Sequence, residues 1–474
     1  KVGAFAVVPG PGVLNTTAAL STSWAANVPV LCVTGQIPSA SIGRGYGQLH
    51  EIPDQLSILQ GLTKSAARID HPTDAPAKVA EAFRQLRTGR PRPVALEMPL
   101  DQLAEACSVD LLDAATDHAR PPVDEDALAK AAKLLAGAKA PMIFVGSGAV
   151  DSGEAIQALA EMLQAPVIAN RTGRGIVSHR HYLSMMHLEG HRLWADADVV
   201  LAIGSRLQPA RMNWGTDDNL KIIHVDIDPV EIKRIAAPDV ALVGDAQDIV
   251  PALVDAVGKQ APSRASREDE LVTLQGEVHK MLLDRLGPQM SWIKVIREAL
   301  DDDGIFVDEL TQVGYVSRVA MPVYQPRKYL SSAYQGTLGC GLGVAIGAKI
   351  ANPERQVLSI NGDGGFMYNV QELATAAKYN VNVVAIVFAD GAFGNVRRMQ
   401  EELYDGRTIA SDLHNPDFVK MAESFGCAAY RAESPDELAK VLPTAFKQSG
   451  PAVIEVPFPK TPDPWPIIIP GRNR

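Results

Sequence analysis

Cysteine is scarce in this sequence of 474 residues, and its placement excludes two kinds of architecture. The four cysteines, Cys32, Cys107, Cys340 and Cys427, are scattered, and no two of them form a CxxC pair. A disulfide framework or a cysteine-ligated zinc site needs closer and repeated spacings. The pattern is typical of a reducing compartment, and we expect the protein to be cytoplasmic.

The sequence also lacks a basic excess and any long hydrophobic run. Its 45 Lys and Arg against 55 Asp and Glu give a formal net charge of −10. This argues against a nucleic-acid partner, which requires a basic face. The acidic balance does not exclude phosphate-bearing ligands, since backbone amides or a metal ion can hold them. Apolar runs such as residues 381–389 are strand-sized, and the opening KVGAFAVVPGPG is unlike a signal peptide. We therefore expect no membrane partner.

The sequence does contain short β-branched runs that alternate with Ala-rich amphipathic stretches. This alternation predicts βα units, and the length suggests about three domains. We predict an α/β protein of three domains with doubly wound, mainly parallel sheets, at residues 1–115, 118–262 and 270–474. The tail from Thr461 holds too many prolines for a helix and is expected to lie extended over another part of the chain.

The most informative segment is LSINGDGGFMYNVQELATAAKYNVNVVAIVFADGAFGN, which reads as one βαβ unit. Asp363 follows the first strand and Asp390 follows the second, 27 positions later. Parallel strands end at the same edge of a sheet, so both carboxylates are expected there. With a backbone carbonyl, two diphosphate oxygens and one water they would complete an octahedral Mg²⁺ site.

Glycines and an asparagine complete this segment. Gly362, Gly364 and Gly365 would let the backbone approach a diphosphate near a helix N-terminus. Asn369 is predicted to cap the next helix, with Glu372 completing a capping box. Two ordinary Asp-Gly turns at strand ends are the alternative. The spacing of the two turns within one βαβ unit favours a binding site.

The GDG motif, followed at this interval by a second loop, resembles the thiamine diphosphate (ThDP) fingerprint of the superfamily of acetolactate synthase, pyruvate oxidase and benzoylformate decarboxylase. In that family the second loop usually begins with two asparagines, and the second is a metal ligand. Here Ala389 and Asp390 occupy those positions. The resemblance implies that the carbonyl of Ala392 is the third protein ligand and that Phe393 belongs to the cofactor loop.

The stretch SSAYQGTLGCGLGVAIGAKIANP resembles the family segment that holds the aminopyrimidine. The resemblance implies that the Gly336 carbonyl accepts from the 4′-amino group and that Leu338 is the apolar wedge that bends the cofactor. A core leucine at the start of a helix is the alternative for Leu338. Gln312, 26 residues before Leu338, matches a glutamine that contacts the diphosphate.

The first block, with PGPGVLNTTAAL and TGRPRPVALEMP, resembles the pyrimidine-binding domain of the family. GRGYGQLHEIPDQ falls where relatives have a glutamine facing the reaction centre, here most simply Gln48. His50 is a second catalytic candidate in the same loop, with a core or surface role as the alternative. The strand KIIHVDIDPVEI resembles the central domain.

Two departures from the family pattern concern catalysis and substrate choice. The family's catalytic glutamate lies upstream of the strand that here begins at Val2, where this sequence has no residues. We expect the chain to lack its true N-terminus; a catalytically weakened homologue is the alternative. In FGNVRRMQEELYDGR, Met399 stands where acetolactate synthases carry a tryptophan, and Arg397 and Arg398 are basic where those enzymes are more polar.

The middle domain offers two further cofactor hypotheses. GSGAVDSG at 146–153 contains a short GxG after a strand, but one GxG is weak evidence for a nicotinamide site, and a tight turn is the better interpretation. Some relatives bind FAD in this domain, with Arg206 as the candidate contact. The acidic pair that follows this arginine in flavin-bound synthases is missing, so FAD is not favoured.

The resemblance implies a ThDP- and Mg²⁺-dependent lyase or transferase that decarboxylates a 2-oxo acid or joins its fragment to an acceptor. It also implies a homodimer or homotetramer with active sites between subunits. A C–C bond hydrolase, an acyl-CoA lyase and a non-catalytic ThDP-binding homologue are the alternatives. A nicotinamide dehydrogenase rests on GSGAV alone.

Overall fold

The computed structural model of the protein describes residues 2–113, 120–169 and 171–474. It contains two compact units. The first covers the chain up to Pro121 together with Ser332–Thr337, and the second comprises Pro122–Ser331 and Leu338–Arg474. Three parallel sheets, one in the first unit and two in the second, confirm the predicted α/β fold class with three domains. The predicted boundaries near residues 115–118 and 262–270 stay predictions.

The first unit is built on a four-stranded parallel sheet in the order β1-β2-β4-β3. Its strands are β1 (Gly3–Val7), β2 (Val30–Gln36), β3 (Ser65–Arg68) and β4 (Val94–Pro99), and its helices are α1 (Pro11–Ala26), α2 (Gln55–Leu62), α3 (Ala75–Arg87) and α4 (Leu100–Leu103). Successive strand residues face opposite sides, so Leu31 and Cys32 enter different apolar clusters. Helices therefore cover both faces of the sheet.

The middle sheet has six parallel strands in the order β10-β9-β8-β5-β6-β7. Its strands are β5 (Pro141–Val145), β6 (Val167–Ala169), β7 (Ser184–Met185), β8 (Val199–Ile203), β9 (Lys221–Asp226) and β10 (Val240–Val243), and its helices are α5 (Glu125–Gly137), α6 (Gly153–Leu163), α7 (His187–Trp194), α8 (Pro229–Lys233) and α9 (Ala246–Gly258). β5 and β8 are buried throughout, as central strands covered on both faces should be.

The third sheet also has six parallel strands, in the order β12-β11-β13-β14-β16-β15. Its strands are β11 (Ile305–Asp308), β12 (Tyr329–Ser331), β13 (Val357–Gly362), β14 (Val384–Ala389), β15 (Ala428–Arg431) and β16 (Ala452–Pro457). Its helices are α10 (Glu268–Ala299), α11 (Gln312–Ala320), α12 (Cys340–Ala351), α13 (Asp363–Asn369), α14 (Glu372–Lys378), α15 (Gly394–Leu403), α16 (Phe418–Ser424), α17 (Pro435–Ala445) and α18 (Trp465–Ile468). The strand order reverses between β11 and β13, which is where doubly wound sheets bind ligands.

The C-terminal tail packs against the second unit, as predicted. The Gln289 amide donates to the Pro462 carbonyl at 2.7 Å, and the Arg474 guanidinium pairs with Asp217 at 2.7 Å. The prediction that the tail contains no helix was wrong, because α18 forms one turn after Pro464. Proline is tolerated in a first turn, where its missing N–H has no intrahelical acceptor.

None of the helices in residues 2–113, 120–169 and 171–474 is both long and apolar enough to cross a membrane. These residues include all four cysteines, and no disulfide joins them.

Candidate active site

The two predicted metal-binding aspartates stand at the ends of neighbouring strands. Asp363 begins α13 directly after β13, and Asp390 follows β14. The two strands pair in parallel, with Gly362 opposite Phe388. Both aspartates therefore lie at the carboxyl edge of the sheet, beside the point where the strand order reverses.

Asp363 is only 2% exposed, and polar groups from three segments surround its carboxylate. The amide of Gly364 donates to Oδ1 at 2.8 Å, and the amide of Gly391 donates to Oδ2 at 2.7 Å. The side chain of Asn415 also donates to Oδ2, at 2.7 Å. Oδ2 thus accepts two hydrogen bonds and Oδ1 accepts one, so this arrangement orients the group and leaves a lone pair of Oδ1 for a cation.

Asp390 is an exposed residue, unlike Asp363, although its carboxyl group is partly shielded from solvent. This partial burial, together with the nearby negative charge of Asp363, raises the pKa of Asp390 to about 6. A hydrogen bond from the Ala392 amide, at 3.1 Å from Oδ1, and the charge of Arg397 oppose the rise. The pair is thus an acidic site whose repulsion a divalent cation would relieve.

The loop that carries Ala392 and Phe393 packs directly on the GDGG motif. Ala392 pairs with Asp412, and the Phe393 amide donates to the Ser411 carbonyl at 2.8 Å. A methyl group added at Gly364 would lie 2.4 Å from Cε1 of Phe393. The Phe393 ring therefore requires glycine at position 364, and the approach of a diphosphate to this glycine stays a prediction.

Gly365 and Gly362 differ in how much space their neighbours leave. A methyl group at Gly365 would lie 2.1 Å from Oε1 of Glu309, whereas one at Gly362 would make an ordinary contact of 3.5 Å with Thr311. The predicted capping box is wrong: Asn369 donates to the Gly339 carbonyl at 2.7 Å, and Glu372 accepts from Thr375. Asn369 is the last residue of α13, and Gln371 is the residue that stands at the capping position of α14.

Gln312 supplies a polar group from a third loop at this edge. It begins α11, whose N-terminus is capped by the Thr311 hydroxyl, which accepts from the Gly314 amide at 2.8 Å. Oε1 of Gln312 is buried and has no hydrogen-bond partner among the described residues. An unsatisfied buried amide oxygen beside an acidic pair fits a site that takes a polar ligand together with a cation.

Gly336 and Leu338 lie shortly before the start of α12. Gly336 has a positive φ of 64° and belongs to the first unit, in which Thr337 lies 2.6 Å from the hydroxyl of Thr22. Leu338 belongs to the second unit and is only half-buried, whereas Leu342, one turn later, is in the core. This exposure does not support the core alternative for Leu338.

Gln48 and His50 lie in a loop of the first unit that is closed on itself. The Gln48 amide side chain donates to the Ser41 hydroxyl at 2.9 Å, and Glu51 accepts from the backbone amides of Gly45 and Gln48 at 3.0 and 2.8 Å. His50 has a positive φ of 70°. Gln48 therefore turns toward its own loop in this structure, and its catalytic role stays a prediction.

Arg397 and Arg398 do not present unpaired positive charge. Arg397 pairs with Glu401 and Asp412, at 3.1 and 2.7 Å, and Arg398 pairs with Glu402 at 2.5 Å. Met399, which follows them, is 42% exposed. The surface after the predicted metal-binding loop is therefore a charge-balanced helix with an exposed thioether.

Sequence reasoning missed two buried glutamates. Glu97, in β4, accepts from Arg68 at 2.6 Å and from Gln55 at 2.8 Å, and Gln55 in turn accepts from the Gly10 amide at 2.8 Å. Glu309, after β11, is fully buried, and burial raises its pKa to about 7. A charged residue within or beside an apolar strand was the available signal in both cases.

In the middle domain the candidate flavin contact has a protein partner. Arg206 donates to Glu231 at 3.1 Å, and Arg234 pairs with the same carboxylate at 3.1 Å. A methyl group added at Gly146 would lie 2.3 Å from the Gly204 carbonyl. The close packing of these two loops explains the GxG sequence as a tight turn. FAD binding here stays an alternative that is not favoured.

Known proteins resemble the whole chain. Residues 1–58, 128–253 and 311–456 match, in turn, the N-terminal TPP binding domain, the central domain and the C-terminal TPP binding domain of thiamine pyrophosphate enzymes.

Among individual proteins, "Probable 2-ketoarginine decarboxylase AruI" of Pseudomonas aeruginosa is 34% identical, covering 96% of this chain and 83% of that protein. "Acetolactate synthase isozyme 1 large subunit" of Escherichia coli is 30% identical over 98% of this chain and 84% of its own length. "Probable acetolactate synthase large subunit" of Methanocaldococcus jannaschii is 32% identical over 99% and 83%. With three domain matches and these relatives, the chain belongs to the thiamine pyrophosphate enzyme family.

Proposed function

We propose that this protein is a ThDP- and Mg²⁺-dependent enzyme that decarboxylates a 2-oxo acid, joins the resulting fragment to an acceptor, or does both. The observation that carries the proposal is the pair of Asp363 and Asp390 at one sheet edge, with the pKa of Asp390 raised partly by the charge of Asp363. Mg²⁺ prefers such hard oxygen ligands, and the diphosphate would supply the rest. The names of the relatives support both reactions.

Different residues of this chain would hold the metal, the diphosphate and the pyrimidine of the cofactor. Asp363, Asp390 and the Ala392 carbonyl would hold Mg²⁺, and Nε2 of Gln312 would donate to the diphosphate. Gly336 and Leu338 would position the pyrimidine, with Gln48 and His50 as candidates beside the substrate. When bound, ThDP supplies a nucleophilic carbon and an electron sink for the carbonyl substrate. We further propose a homodimer or homotetramer located in the cytoplasm.

The metal assignment is tested by titrating ThDP into the protein with Mg²⁺ present, using calorimetry. Asp363→Ala should abolish binding at micromolar ThDP, because the change removes a charged ligand and the acceptor of three hydrogen bonds. Asp405→Ala, at an exposed acidic residue, is the matched control and should bind as the parent does. Unchanged binding by Asp363→Ala would refute the assignment.

The reaction is tested by offering several 2-oxo acids to the ThDP- and Mg²⁺-loaded protein and measuring CO₂ and coupled products. We expect CO₂ release from at least one donor, and a carboligation product when an acceptor is present. Bound ThDP without turnover of any 2-oxo acid would count against this function. The purified protein should be colourless, whereas stoichiometric FAD would favour a flavin-dependent synthase or oxidase.

A further inference from the structure

A fully buried carboxylate lies between two segments to which the proposed function assigns cofactor binding. Glu309 follows β11 and is 0% exposed. Its Oε1 accepts from the Gly339 amide at 2.6 Å, and its Oε2 accepts from the Gly341 amide at 3.1 Å. Gly339 is the N-cap of α12, directly after Leu338, and Gly341 lies in its first turn, where the partial positive charge of a helix N-terminus favours a carboxylate.

Gly339 is also bound through its carbonyl. The carbonyl of Gly339 accepts from the side-chain amide of Asn369, the last residue of α13, at 2.7 Å. Gly339 has a positive φ of 80°, and an added methyl group would lie 2.6 Å from Cβ of Tyr368. Its neighbours therefore leave this peptide little room to move, and we call Glu309, Gly339 and Asn369 the Gly339 latch.

The GDGG motif packs against the same carboxylate. A methyl group added at Gly365 would lie 2.1 Å from Oε1 of Glu309, and one added at Gly341 would lie 2.6 Å from Oε2 of the same residue. The Glu309 carboxylate thus limits the space at both glycines, and at Gly341 it does so together with Asn361, whose Oδ1 would lie 2.3 Å from the added methyl group. Among the described residues no Lys or Arg forms an ion pair with Glu309, so backbone amides are its charge-stabilising partners.

We propose that Glu309 and Asn369 are positioning residues. Glu309 binds the amide of Gly339 and Asn369 binds its carbonyl, and together they hold Leu338 and the start of α12 at a set distance from the GDGG motif. The inference rests on the proposed function for its consequence: the latch fixes where the organic part of ThDP can bind, while the aspartate pair holds the metal and diphosphate. Neither residue is expected to touch the reacting atoms.

Two nearly isosteric substitutions test the latch. Glu309→Gln turns an amide group toward a backbone donor, and Asn369→Asp turns a carboxylate toward the Gly339 carbonyl. Matched controls make the same chemical changes elsewhere in this sheet domain: Asn352→Asp removes an amide donor to the Ala348 carbonyl at the other end of α12, and Glu455→Gln alters a buried glutamate in β16.

The first measurement is hydrogen exchange by mass spectrometry on the protein without ligands. Glu309→Gln should speed exchange of the amides of Gly339 and Gly341 about tenfold or more, as expected for loss of a charge-assisted hydrogen bond. Asn369→Asp should also speed this exchange, because its carboxylate repels the Gly339 carbonyl to which Asn369 donates. The controls should leave this peptide unchanged. Exchange at parental rates in both latch variants would overturn the proposal. Asn369→Asp, at a half-buried site, keeps the test available if Glu309→Gln does not fold.

The second measurement separates positioning from general damage. With Mg²⁺ present, the latch variants should bind ThDP about tenfold more weakly, yet bind inorganic diphosphate as the parent does. Equal losses for both ligands would identify a merely structural role and overturn the proposal. If the parent itself does not bind ThDP, the proposed function fails, whereas the exchange measurement still decides whether the latch exists.

Discussion

Two glycine-rich loops of this protein look alike in sequence and differ in what their glycines do. In GRGYG, the residues Gly43, Gly45 and Gly47 all have positive φ, between 67° and 75°, and added methyl groups would meet nothing within 4 Å. In GDGG, added methyl groups at Gly364 and Gly365 would collide with Phe393 and Glu309, at 2.4 and 2.1 Å. One loop needs glycine for backbone conformation and the other needs it for space.

The difference matters because the two requirements have different energies. A left-handed conformation costs an ordinary residue about 1–2 kcal/mol, and the loop can relax because it is exposed. Lack of space in a buried motif forces neighbouring side chains to move. At GDGG those side chains are Glu309 and Phe393, and Phe393 belongs to the predicted metal-binding loop. Substitutions in GDGG should therefore affect both stability and the site, whereas substitutions in GRGYG should affect neither strongly.

The largest effect is expected from Gly364→Ala. The added methyl group would overlap the Phe393 ring and lie 3.0 Å from Leu413, so overpacking should lower the free energy of unfolding by about 3 kcal/mol. Urea denaturation measures this change. Gly343→Ala in α12 is the control, because nothing lies within 4 Å of its added methyl and alanine favours a helix by about 0.5–1 kcal/mol. Equal stabilities of the two variants would remove the basis of the comparison.

A smaller effect of opposite sign is expected from Asp390→Asn without divalent cations. The pKa of Asp390 is raised to about 6, above the unfolded value near 3.9, so ionisation destabilises the fold. The variant should gain up to about 1 kcal/mol at pH 8, a value limited by solvent screening of a partly exposed group.

This gain should vanish as the pH falls below about 6, because the parent then carries a neutral carboxyl at the same position. Parent stability itself should rise as the pH falls from about 6 toward 4. With ThDP and Mg²⁺ the order should reverse, since the charged ligand binds the cation more strongly. Thermal melts across pH, with and without these ligands, check both statements; a gain that is independent of pH would mean that charge repulsion is not its cause.

Periodicity predicted the parts of the site that are local. The βαβ spacing of Asp363 and Asp390 was sufficient to place both at one sheet edge, because strands of known direction determine where their loops emerge. The three parallel sheets followed from the same alternation. In each case the evidence lies within a few tens of residues, and no long-range contact competes with it.

The remaining parts depend on contacts between distant segments. Asn415 reaches Asp363 across 52 positions, and its segment HNPD carries no pattern that predicts this. The capping box at Asn369 failed because α13 extends to this residue, whose side chain instead donates to the Gly339 carbonyl 30 positions earlier. Glu309 was missed because its contacts with Gly365 and Gly341 arise only when distant segments pack together. Long-range partners of this kind cannot be read from local spacing.

The smallest effects are expected in the GRGYG loop. Gly45→Ala must adopt a φ of 67°, which costs about 1–2 kcal/mol. Its lower entropy in the unfolded chain offsets about 0.4–1 kcal/mol of that, so the net loss should be on the order of 0.5–1 kcal/mol. Gly45→Asn should lose still less, because asparagine tolerates the left-handed region. Both variants keep the backbone amide that donates to Glu51. Urea midpoints for the two variants and the parent should therefore fall in the order parent, Asn, Ala, over a narrow range. A loss for Gly45→Ala as large as that for Gly364→Ala would show that this loop is packed in solution, and that its glycines, like those of GDGG, are required for space.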